Sequence, residues 1–178
     1  MTFAKPFALA LAALTIPAQP VFAQAQAQRD CVTEAEVSAR GIYSVPHALR
    51  SVRSRCGANL AADGFLATQG NRLSQRYAAL ADSNWRGALT GITRMVGAGL
   101  MQGQAQLQLD RLPAEIVRPL VDEMIAQKVA EQVAPADCRR IERAAEAFAP
   151  LEPTEVGRIS AVIMSLAGIE RPKICTVS

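Results

Sequence analysis

Four cysteines, one histidine and a scatter of carboxylates are the side chains in this sequence with chemistry to offer. Cys31, Cys56, Cys138 and Cys175 contain no Cys-x-x-Cys, so a thioredoxin-type dithiol, a c-type haem attachment and a paired zinc-ligand spacing all lack their motif. An even number of cysteines in a small exported chain argues instead for two disulfides. The expected pairs are Cys31–Cys56 and Cys138–Cys175, because each brackets a helical hairpin, although four cysteines allow three connectivities.

His47, the only histidine, follows Pro46 at an expected helix start, where an exposed or merely packed imidazole is the ordinary outcome. A zinc or iron site wants several such ligands, and a Ser-His-Asp arrangement wants a nucleophile. No G-x-S-x-G elbow supplies one. No catalytic residue, metal or cofactor is therefore expected. Gly97, Gly99 and Gly103 are spaced G-x-G-x-x-x-G after a helix rather than a strand, which reads as a flexible connection and not a phosphate cradle.

Carboxylate pairs could support glycoside hydrolysis. Glu115, Asp122, Glu123 and Glu131 are the candidates, all on the polar side of one expected helix, with Glu115 also placed to pair with Arg118. A saccharide cleft is usually lined by aromatic platforms, and one Trp and two Tyr are few. Glu34 and Glu36 have a capping role that accounts for them. A cell-wall glycoside hydrolase is accordingly the second reading of function.

The first reading is binding. Arg50 and Arg53 lie one turn apart, away from an apolar stripe of Val45, Leu49 and Val52, and form a candidate contact surface. Guanidinium groups on a rigid helix suit bidentate recognition of carboxylate or phosphate.

The elements that must position these residues all show helical periodicity. Thr33 and Glu36 have the capping-box spacing and open a short helix ending near Tyr43. Pro46 restarts a second, which Gly57 ends in a left-handed turn. A turn of helix over 63–69 closes at Gly70, and Asn71 caps the next, with Leu73, Tyr77 and Leu80 inward. Asp82 or Ser83 caps another, with Trp85, Leu89, Ile92 and Val96 inward. Gln102, Gln104, Gln106 and Gln108 alternate with less polar residues in a stretch expected to be loop or irregular helix.

Pro113 opens a helix to about Val133 with a stripe of Ile116, Val117, Leu120, Val121, Met124, Ile125 and Val129. Asp137 caps a helix presenting Cys138, Ile141, Ala145 and Phe148. Thr154 and Glu155 start the last, carrying Val156, Ile159, Val162, Ile163 and Leu166, and Gly168 stops it. The fold class is all-α: a compact array of six or seven short helices stapled by two disulfides.

Residues 1–23 match the plan of a cleavable signal, with Lys5 at the start, an apolar run over 7–16, Pro17 and Pro20, then Val21-Phe22-Ala23. The run is too short to span a bilayer, so no transmembrane segment is expected after cleavage. About 155 residues remain as one helical domain, 24–178, in the periplasm or secreted. Aromatics make up 4% of the chain, so Ala, Leu, Val and Ile must build the core. The net charge of +3 becomes +2 without Lys5, too small to imply a nucleic-acid partner. Seven arginines between residues 47 and 94 face two acids there, which gives the first half a basic cast.

A cysteine before a capped helix, the segment VPHALRSVRSRC, and ADCRRIERAAEAFAPLEPTEVGRI with a closing ICTVS resemble a group of uncharacterised exported four-cysteine helical proteins of alphaproteobacteria. The resemblance covers most of the mature chain and implies no activity. The function expected is that of a non-enzymatic envelope protein binding another protein, a polymer or a small apolar ligand.

Overall fold

The computed structural model describes residues 31–100, 112–167 and 173–175, with the backbone alone for 95–100. Residues 1–23, the glutamine alternation, Gly103 and Gly168 lie outside the described residues. The fold is all-α, as expected. Among the described residues seven α-helices follow one another: α1 Glu34–Cys56, α2 Phe65–Thr68, α3 Gly70–Ala78, α4 Ala81–Leu100, α5 Ala114–Gln132, α6 Cys138–Phe148 and α7 Pro153–Leu166. Short 3-10 turns, Gly57–Asn59 and Pro135–Asp137, follow α1 and precede α6.

The organising element is α1, 23 residues long and unbroken. Its start obeys the sequence: Thr33 Oγ1 accepts from Glu36 N at 3.2 Å and Glu36 returns the bond to Thr33 N at 2.9 Å. Glu34 and Glu36 at this end, with Arg53 and Arg55 in the last turn, complement the helix dipole. The expected break at Pro46 does not occur. A proline removes one N–H from the ladder, a loss that packing of α3, α4, α5 and α7 around the same helix overrides. Gly57 likewise stays right-handed, at φ −51°, and continues into the 3-10 turn.

Continuity of α1 overturns the expected disulfides. At 1.5 Å per residue, Cys31 and Cys56 stand at opposite ends of a rod roughly 35 Å long, far beyond the reach of a bridge. The observed pairs are Cys31–Cys175, with Cα atoms 5.1 Å apart, and Cys56–Cys138, at 5.5 Å. Around the first, Val32 and Ile174 form an isolated parallel bridge, with Val32 N donating to Lys173 O and Cys175 N to Val32 O.

Three apolar clusters surround α1. Leu49, Val52 and Cys56 meet Leu66, Leu73, Tyr77 and Cys138 at one end. Tyr43 meets Trp85, Leu89 and Ile92 of α4 and Val117 and Val121 of α5 in the middle. Val32 and Val37 meet Ala161 and Ile174 at the other end. Of the stripe expected for α3, Leu73 and Tyr77 are buried and Leu80, beyond the helix end, is half-buried; up to Ile92 the α4 stripe is buried.

Two stripes are not buried as expected. On α7, Ile159, Val162, Ile163 and Leu166 face outward, the last 82% exposed, while Pro153, Gly157 and Ala161 face in. A Cβ on Gly157 would lie 2.4 Å from Ser38 Oγ and 3.1 Å from Ile42, so the small-residue face alone fits this close crossing with α1. On α5, Val117 and Val121 are buried but Ile116 and Leu120 are exposed.

The helix starts also differ in detail. Gly70 opens α3 rather than closing α2, and Asn71 accepts from Arg53 instead of capping. Asp137 pairs with Arg140. Glu155 accepts from Glu152 N at the start of α7, with Pro153 at the first helical position. Gly97 and Gly99 lie within α4 and not in a connection.

Candidate functional site

A groove of about 750 Å³ opens between the C-terminal half of α1 and the pair α2–α3. Its basic side is the α1 surface bearing His47, Arg50 and Arg53, and Asn71 and Ser74 of α3 add polar groups opposite. Leu49 and Leu66, both buried, lie beneath it. Among the described residues its lining contains no carboxylate.

The walls are fixed by contacts remote in sequence. The Cys56–Cys138 bridge ties the end of α1 to α6. From α6, Glu142 Oε1 accepts from Leu66 N at 3.0 Å and so satisfies a backbone donor at the start of the single-turn helix α2. That carboxylate sits so close that a Cβ on Gly64 would meet its oxygen at 2.6 Å. On α3, Arg76 donates to Ala149 O at 2.5 Å and Leu151 O at 3.0 Å, clasping the turn between α6 and α7.

Arg50 and Arg53 are therefore where the sequence puts them, outward from the apolar stripe, and the fold brings both to one groove. Arg53 donates to Asn71 Oδ1, and Arg50 NH2 lies 3.2 Å from His47 Nδ1. The anchoring cysteine is Cys56, but its partner is Cys138 rather than Cys31.

Behind Arg50 runs a chain of polar contacts that the sequence did not disclose. His47 Nε2 lies 3.2 Å from Asp122 Oδ1 on α5, and Tyr43 donates to the same oxygen at 2.7 Å. A guanidinium has no acceptor, so the contact with Arg50 makes Nδ1 the acceptor and leaves the ring proton on Nε2, donating to Asp122. Burial pushes the His47 pKa below the usual imidazole range and Arg50 adds to the depression, with Asp122 pulling the other way. Tyr43, buried and bonded to a carboxylate, has its pKa raised far above the usual phenol range and remains a donor.

Aromatic contacts fix Tyr43 in turn. Its ring centroid is 5.2 Å from that of Trp85 and 5.5 Å from that of His47. Arg118 lies over Trp85 at 5.0 Å and pairs with Asp82, not with Glu115 as expected. Trp85 serves as a core anchor.

Of the four carboxylates considered for hydrolysis, Glu115, Glu123 and Glu131 are exposed on α5, while Asp122 is half-buried and turned to α1. Glu123 accepts from Gln127 and Glu131 pairs with Lys128. Asp122 was detectable in principle: it sits between Val121 and Met124 at the edge of the apolar stripe, where a charged residue needs a partner. Among the described residues no group of three His, Cys, Asp or Glu could hold a metal ion. No family model, curated protein or solved structure matches the chain, so the functional reading rests on this geometry.

Proposed function

We propose that this is an exported, non-enzymatic envelope protein that binds an anionic ligand, carboxylate or phosphate in type, in the groove beside α1. The observation that carries this reading is the concentration of His47, Arg50 and Arg53 along one side of a cavity whose lining, among the described residues, holds no acid. Guanidinium groups donate in a planar fork that matches a carboxylate or phosphate, and a concave site excludes enough water to strengthen the pairing. Two disulfides are compatible with an oxidising extracellular compartment, and the character of residues 1–23 supports export. No helix among the described residues is long and apolar enough to cross a membrane.

The test uses sulfate, whose tetrahedral oxygens stand in for a bound phosphate. Titration at constant ionic strength, followed by amide and guanidinium NMR signals, is expected to give saturable shifts confined to the groove. Arg50→Gln combined with Arg53→Gln should abolish them in a protein that still folds. Shifts spread over the whole basic surface, or unchanged in the double variant, would remove the groove from the reading. Clearing of purified peptidoglycan that vanishes in Glu115→Gln or Glu123→Gln would replace binding with the hydrolase.

A further inference from the structure

We propose that the groove takes up a proton together with its anion, and that His47 is the residue that gains it. This rests on the reading of the groove as an anion site and adds a linkage to it. The geometric basis is the double engagement of one imidazole. On its inner side Nε2 meets Asp122 of α5, itself held by Tyr43; on its outer side Nδ1 meets Arg50, which lines the groove. His47 lines the groove as well, with 16% of its side chain exposed.

The charged and titratable groups around this ring come from three helices. Asp122 of α5 and Arg50 of α1 touch the ring, Tyr43 of α1 lies beside it, and Arg118 of α5 and Asp82 of α4 act on Tyr43 behind it. Among the described residues Asp122 is the one carboxylate in contact with the ring, and Arg50 is the one cation in contact with it. While Arg50 stands against Nδ1 the proton is kept off that nitrogen, because a second N–H there would point at a guanidinium that also only donates. Like charge and clashing donors then act together.

An anion in the groove removes that obstacle. It draws Arg50 away from Nδ1, leaving a lone pair of a partly buried ring without a donor, and its negative charge favours an imidazolium at the same place. Solvent supplies the proton, Nδ1 accepts it, and the new N–H can donate to the ligand. Asp122 remains on the opposite nitrogen to balance the charge. Coupling of this kind is reciprocal: if proton uptake tightens anion binding, anion binding must raise the His47 pKa by the same factor.

The experiment exploits the single histidine in the sequence. In untagged protein its imidazole C–H signals are unique, so the titration of His47 can be followed with and without saturating sulfate between about pH 5 and pH 8. Sulfate keeps one charge state over this range. The expected result is a His47 titration displaced to higher pH by sulfate, and sulfate affinity about five- to tenfold tighter at the acid end than at the alkaline end. His47→Gln should still bind sulfate, but with affinity independent of pH. Saturable sulfate binding that depends on Arg53 while leaving the His47 titration unmoved would overturn the coupling and spare the anion site. Absence of saturable binding at every pH would overturn both.

Discussion

Because a guanidinium only donates, the position of Arg50 against Nδ1 favours the neutral form of His47 in the folded state, and that has a consequence for stability. Burial first, and Arg50 second, push the folded pKa of His47 below its unfolded value, against the pull of Asp122. A group lowered in this way holds fewer protons folded than unfolded, so stability rises with pH across the interval between the two values. The contribution is intact above about pH 6.5 and is lost as the pH falls through the depressed value. The thermal midpoint of unliganded protein is expected to drop on acidification within this window, and His47→Gln should flatten that drop. An identical slope in the variant would assign the acid sensitivity to other groups. At this scale the sequence disclosed half of the site. Arg50 and Arg53 are legible because they stand one turn apart, off the apolar stripe of Val45, Leu49 and Val52. His47 was set aside because its partner lies 75 positions along the chain, on a helix whose orientation about its own axis no local pattern specifies.

At the scale of elements, periodicity located the helices better than it assigned their faces. The starts of α1 and α5, and the burial of Leu73 and Tyr77 on α3 and of Trp85, Leu89 and Ile92 on α4, follow from capping, Pro113 and apolar spacing. What it missed is that close crossings with α1 are made by glycine. A Cβ on Gly87 would lie 2.8 Å from Ala39 Cβ, and one on Gly91 would lie 3.1 Å from the backbone oxygen of Glu36. The segment Gly87-Ala88-Leu89-Thr90-Gly91 therefore presents two glycines one turn apart to α1, and α7 presents Gly157 and the small Ala161 at the same spacing. A hydrophobic count ranks such faces low, so it turned the larger side chains of α7 inward when the fold leaves them outside. The two classes of helical glycine separate by mutation. Gly87→Val is expected to destabilise the fold by about 1–3 kcal/mol through overpacking. Gly41 lies within α1 with open space where its Cβ would be, so Gly41→Ala should stabilise by about 0.5–1 kcal/mol through helix propensity. Chemical denaturation of both variants checks the contrast, and a stabilising Gly87→Val would refute the close crossing.

At the scale of the whole molecule, the two disulfides are nested, and the continuity of α1 through Pro46 is what separates them from the expected pairs. Once Pro46 is taken as a helix break, Cys31 and Cys56 become the ends of a hairpin; once α1 is continuous, that pair is impossible and its companion falls with it. The nested pairs divide the labour. Cys31–Cys175 spans 144 positions and closes the described ends of the fold at the Val32–Ile174 bridge. Cys56–Cys138 spans 82 positions and fixes the end of α1 to the helix whose Glu142 holds α2. In the chain-entropy account loops of these lengths stabilise by roughly 4–5 kcal/mol each, an upper guide. Removing both cysteines of either pair by substitution with Ala should therefore lower the thermal midpoint to a similar degree. Their effects on the groove should differ. Without Cys31–Cys175 the α1, α2 and α3 walls keep all their contacts, and sulfate affinity, measured well below the midpoint, is expected to stay within about twofold, or 0.4 kcal/mol. Without Cys56–Cys138 the end of α1 is free to move against α6, the spacing of Arg50 and Arg53 from Asn71 loosens, and affinity is expected to fall several-fold. Equal losses in the two variants would mean that the groove is held by the fold as a whole and not by its nearer staple.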